Sequence, residues 1–75
     1  MKKKHTIKVK HLETIESQMI RLGLNRTLLQ RAADLSEPTV RAILDNDNVL
    51  NITPRTAYKF CKALDVNFDD IFEVV

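Results

Sequence analysis

The chain has 75 residues, the length of one small domain, and 1–75 is read as a single unit. At this size folding buries only about 60% of the surface that the unfolded chain exposes, so every apolar face should be used. Apolar residues make up 44%, no run approaches the roughly 20 apolar residues of a membrane span, and a lone cysteine excludes an internal disulfide.

The formal net charge is only +2, yet its distribution is uneven. Residues 1–10 hold five lysines and no acid, whereas residues 65–75 hold Asp65, Asp69, Asp70 and Glu73 and no base. An acidic partner such as DNA would have to be met by the basic front. Met1-Lys2-Lys3-Lys4 is followed by no apolar stretch, so residues 1–5 read as a basic, flexible tail and not as a secretory leader. A cytoplasmic protein is expected.

Thr6-Ile7-Lys8-Val9-Lys10 alternates polar and apolar residues and is rich in β-branched ones, which predicts a short strand. From Leu12 the period changes: Leu12, Ile15, Met19 and Leu22 share one face of a helix that Gly23 ends. Asn25 is placed to cap a second helix with an apolar stripe of Leu28, Leu29, Ala32 and Ala33. Asp34-Leu35 interrupts it, and Ser36 is placed to cap a third helix with Pro38 in its first turn and Val40, Ile43 and Leu44 on one face. Two short helices about a tight turn, spanning about 25–45, form the helix-turn-helix pattern.

Asp45-Asn46-Asp47-Asn48 reads as a turn by composition. Thr53 and Pro54 open a fourth helix, with Ala57, Phe60, Cys61 and Leu64 on its buried face, so Cys61 is read as a small buried hydrophobe. Asn67 is placed to cap a last short helix from Phe68 to about Ile71, with Asp69 and Asp70 at its positive end. Residues 72–75 are a candidate closing strand, whose natural partner is 6–10, with Lys8 or Lys10 opposite Glu73.

Leu24-Asn25-Arg26 with Leu29, then Leu35-Ser36-Glu37-Pro38-Thr39-Val40, and finally the run Lys62 to Phe72 stand in an order and spacing that resembles the Cro/phage-repressor type, the XRE-like helix-turn-helix family. The resemblance runs from about Leu12 to Phe72. It implies an all-α, five-helix lambda-repressor-like DNA-binding domain, to which a small two-stranded ribbon between the N- and C-termini would be added. Five positions depart from the family pattern. Arg26 stands where glutamine is usual, Gln30 where a small residue is common, and Asp34 where the turn often has glycine. Asp45 and Asp47 stand where many relatives have a glycine and a base. Arginine at 26 can serve the same phosphate as a charged donor, while carboxylates at 45 and 47 would repel one.

Carried over residue by residue, the resemblance nominates Ser36, Glu37, Pro38, Thr39 and Arg41 as base-facing, with Ala42 as a further apolar contact to thymine methyls. Arg41 is the foremost, since arginine binds guanine bidentately. Ser36 equally reads as a plain cap and Glu37 as a first-turn acid that complements the helix dipole. Arg26, Arg55 and Lys59 are candidate phosphate contacts. The implied function is a sequence-specific double-stranded DNA-binding regulator, repressor-like, working as a homodimer on the nucleoid of a bacterium or phage host. Phe68, Phe72, Val74 and Val75 would either form the dimer surface or close the core. The alternative is a protein-interaction module on the same fold, such as an antitoxin or anti-repressor partner. His5 and His11 lack a second ligand cluster, and there is no nucleophile–base pair or glycine-rich loop. No enzyme, metal, cofactor or small-molecule ligand is therefore expected.

Overall fold

The computed structural model describes residues 5–45 and 49–75. The lysines at 2–4 and the turn residues 46–48, including Asp47, lie outside the described residues. The elements run β1 (His5–Val9), α1 (Leu12–Leu22), α2 (Arg26–Ala33), α3 (Glu37–Asp45), β2 (Val49–Ile52), α4 (Pro54–Leu64), α5 (Phe68–Ile71) and β3 (Phe72–Val74). No helix among the described residues is long and apolar enough to cross a membrane.

The helix boundaries follow the capping chemistry. Gly23 takes the left-handed conformation that ends α1, and the amide of the next residue, Leu24, reaches back to the Met19 carbonyl. The Asn25 side chain accepts the Leu28 amide at 2.8 Å, and Thr53 Oγ1 accepts that of Thr56 at 3.2 Å. At α5 the Asp70 carboxylate reaches back 3.0 Å to the Asn67 amide.

The expected ribbon forms. β1 and β3 pair antiparallel with Lys8 opposite Glu73, the charge pairing that the sequence suggests. A third strand joins it: Val49–Ile52, for which no strand is expected from the sequence, pairs with the other edge of β1, giving the order β2-β1-β3 in place of a two-stranded ribbon. Ile7 therefore sits between Leu50 and Val74, and Val9 opposite Phe72. Ile7, Val9, Leu50 and Phe72 point inward onto Ile15, Leu29, Val40, Ile43, Ala57, Phe60, Cys61, Leu64 and Ile71. Burial pushes the Cys61 thiol up to about 11, with the nearby Asp70 charge adding to the rise, which leaves it neutral at ordinary pH.

Two stripes are narrower than their periodicity implies. In α2 only Leu29 and Ala33 are buried, because the helix packs on α3 and α4 along one i, i+4 line, and Leu28 stays 42% exposed. In α1 Leu22 is 45% exposed; Leu24, just past the glycine, packs on the core in its place. At the C-terminal end Phe72 is wholly buried and closes the core, whereas Val74 and Val75 are exposed. An open apolar groove of about 700 Å³, floored by Ile7, Cys61, Val66 and Phe68 and rimmed by Tyr58 and Val74, borders that strand. Sequence reasoning anticipated no pocket in so small a core, and this one lies on its surface.

Candidate nucleic-acid interface

α2 and α3 are held by their inward faces. Leu29 and Ala33 on one and Val40 and Ile43 on the other are at most 3% exposed. The turn between them rests on Asp34, which takes a left-handed φ of 56° where a glycine would be free of strain. Helical spacing then fixes the outer face of α3: Glu37, Pro38, Arg41, Ala42 and Asp45 are all exposed, one turn apart in pairs.

The polar candidates are engaged with one another. Ser36 Oγ lies 2.9 Å from Thr39 Oγ1, and Thr39 is half-buried at the border of the face. Arg41 Nη2 donates to Glu37 Oε1 at 2.8 Å and lies 2.8 Å from Oε2 as well, an i, i+4 pair in its favourable order. Arg26, the first residue of α2, grips Asp45 at the end of α3 with both guanidinium ends, Nη1 to Oδ2 at 3.0 Å and Nη2 to Oδ1. Its hydrogen bonds hold the Asp45 carboxyl below its ordinary range, against partial desolvation, and the charges of Arg26 and Arg41 add to the lowering. The same hydrogen bond raises Arg26 further, with a smaller contribution from Glu37. Arg26, Glu37, Arg41 and Asp45 thus form one set of alternating charges across both helices.

The sequence sets Asp45 in a turn where its carboxylate would repel a phosphate, so that either the loop points away or binding is weak and salt-sensitive. In the fold it has a partner, and its charge is answered by Arg26. The Glu37–Arg41 contact is not among the sequence expectations, although its i, i+4 spacing is a signal for it; the Arg26–Asp45 contact joins residues 19 apart and carries no local signal. Lys59 is not gathered into this set. Its Nζ lies 3.4 Å from the Asp34 carbonyl and 3.6 Å from Oδ2 of the same residue, so it sits as a cation at the C-terminus of α2. Arg55 is exposed in the first turn of α4, with no ion pair among the described residues.

Because Asp45 is depressed in the folded protein, its contribution to stability is present above the unfolded carboxylate value of about 3.9 and is lost as pH falls through the lower folded value. Asp45→Asn is expected to lower the melting temperature by a few degrees at pH 7, as suits an exposed pair. The gap to wild type should begin to narrow below about pH 4 and close as pH falls through the lower folded value. A gap that stays constant down to pH 2 would show that the carboxylate's charge is not what stabilises.

A family model described as a Cro/C1-type HTH DNA-binding domain matches residues 14–75. No curated protein and no solved structure matches the chain.

Proposed function

Since the chain belongs to the Cro/C1-type helix-turn-helix DNA-binding family, we propose that it is a sequence-specific, repressor-like regulator that reads the major groove with the outer face of α3. The observation that carries this reading is the division of α3. Val40 and Ile43 are sealed in the core, while Glu37, Pro38, Arg41 and Ala42 stand outward together on a helix that cannot rotate without exposing them. Arg41 supplies the guanine contact, and Ser36 and Thr39 flank it at the helix start. Arg26, Arg55 and Lys59 serve phosphates; Arg26 and Lys59 do so as cations already shared with carboxylates, which keeps general affinity low. One such domain covers little DNA, so useful affinity calls for a homodimer on half-sites about one helical turn apart. Val74 and Val75, exposed beside the open edge of β3, are the apolar ends left for that contact.

Selection of bound sequences from a random duplex pool tests the reading. Wild type should enrich a palindromic site, with log affinity falling against log salt at a slope of about −3 per domain for three phosphate contacts. Arg41→Ala should lose about 1–3 kcal/mol of discrimination at one base pair per half-site. A variant that keeps the full preference would remove Arg41 from the reading surface. The apolar groove beside β3 favours a second reading, a protein-interaction module, and absence of duplex binding even at low salt would favour it over the first.

A further inference from the structure

Arg41 has a carboxylate one turn away on each side along the exposed face of α3, Glu37 at i−4 and Asp45 at i+4. Which of them it joins decides whether its guanidinium leans toward the start of the helix or toward its end. Asp45 is taken: both of its oxygens are held by Arg26 from the neighbouring helix. Arg41 joins Glu37, whose two oxygens both lie 2.8 Å from Nη2. That contact is made by Nη2 alone and leaves Nη1 and Nε, on different edges of the guanidinium, each free to donate to an outside acceptor. It also spends the Glu37 carboxylate, which is then not directed at a base.

We propose that Glu37 is a positioning residue and not a base reader: it fixes Arg41 over the N-terminal end of α3, and the Arg26–Asp45 fork keeps Asp45 from drawing it the other way. The inference rests on the DNA-reading role of α3 and sharpens it. A guanidinium oriented in advance loses less rotamer freedom on contact, which sharpens discrimination at its base pair. The same carboxylate repels phosphates everywhere, so it lowers binding to non-cognate duplex. Selectivity and general affinity are thereby set in opposite directions by one side chain.

The test compares Glu37→Gln, which loses the charge, and Glu37→Asp, which keeps the charge but, one methylene shorter, draws the Arg41 guanidinium to a different position, on the selected duplex and on a random one. Both residues are exposed, and far-ultraviolet circular dichroism checks that the helices persist. Glu37→Gln should raise random-duplex affinity about twofold or more while discrimination at the Arg41 base pair falls about three- to tenfold. Glu37→Asp should lose the discrimination with random-duplex affinity unchanged. In an Arg41→Ala background neither change should alter discrimination further. Retention of full preference by either single variant, or an effect that persists without Arg41, would overturn the positioning role alone. A wild-type protein that selects no duplex sequence would overturn the DNA-reading role, and this inference with it.

Discussion

Val40→Asp is expected to leave the protein largely unfolded at 25 °C and neutral pH. Val40 is 2% exposed and lies where α3 meets the core shared with Leu29 and Ile43. The substitution forfeits about 1.5–3 kcal/mol of apolar burial. It also buries a carboxyl group with no hydrogen-bond partner, which costs about 1–3 kcal/mol more even after the group takes up a proton. Together these come to about 2.5–6 kcal/mol, which matches the lower part of the about 4–11 kcal/mol expected at the usual figure per residue, where a chain of only 75 residues belongs. Loss of the helical circular dichroism signal, or a urea midpoint near zero, is the readout. Val40→Ile, which keeps the site apolar, should retain the fold at a cost of about 1–2 kcal/mol for overpacking. Wild-type melting of the aspartate variant would mean that α3 presents another face to the core.

Phe72→Ala is expected to cost about 3–5 kcal/mol, the range for removing a buried aromatic ring. Phe72 is wholly buried, although it belongs to the short edge strand β3. Its ring centroid lies 5.4 Å from that of Phe68 and 6.0 Å from that of Phe60, in tilted pairs. Opposite it on β1 stands Val9, also buried. The ring thus joins the sheet to α4 and α5, and its loss opens a cavity bordered by all three. Val74→Ala, two residues on but 65% exposed, should change the urea midpoint by less than about 0.5 kcal/mol equivalent. Equal effects at the two positions would mean that the end of β3 is not divided between a buried and an exposed half.

That division shows where sequence reasoning reaches and where it stops. The buried face of α4, Ala57, Phe60, Cys61 and Leu64, was legible because four apolar residues repeat at helical spacing behind a Thr-Pro start. The ribbon of β1 and β3 was legible from alternation and opposite charge. β2 was not: Val49–Ile52 is four residues long, and its alternation of buried Leu50, exposed Asn51 and half-buried Ile52 acquires meaning only beside β1. The candidate reading face was legible because exposure on α3 follows from burial of Val40 and Ile43. The ionic partner of Arg26 was not, since only the angle between α2 and α3 brings Asp45 to it. Local periodicity carries the faces of single elements, and charge pairs across elements depend on their packing.

β1 is the middle strand of the sheet, yet it precedes every helix in the chain, and both of its neighbours follow much later. Helices α2 and α3 meet through contacts close in sequence, which cost little loop entropy. The middle strand has its two edges satisfied only by residues 49–52 and 72–74, far along the chain. The loop-entropy cost of the fold is therefore concentrated in closing the sheet and its seal over Phe72, and not in the pair of helices that carries the candidate reading face.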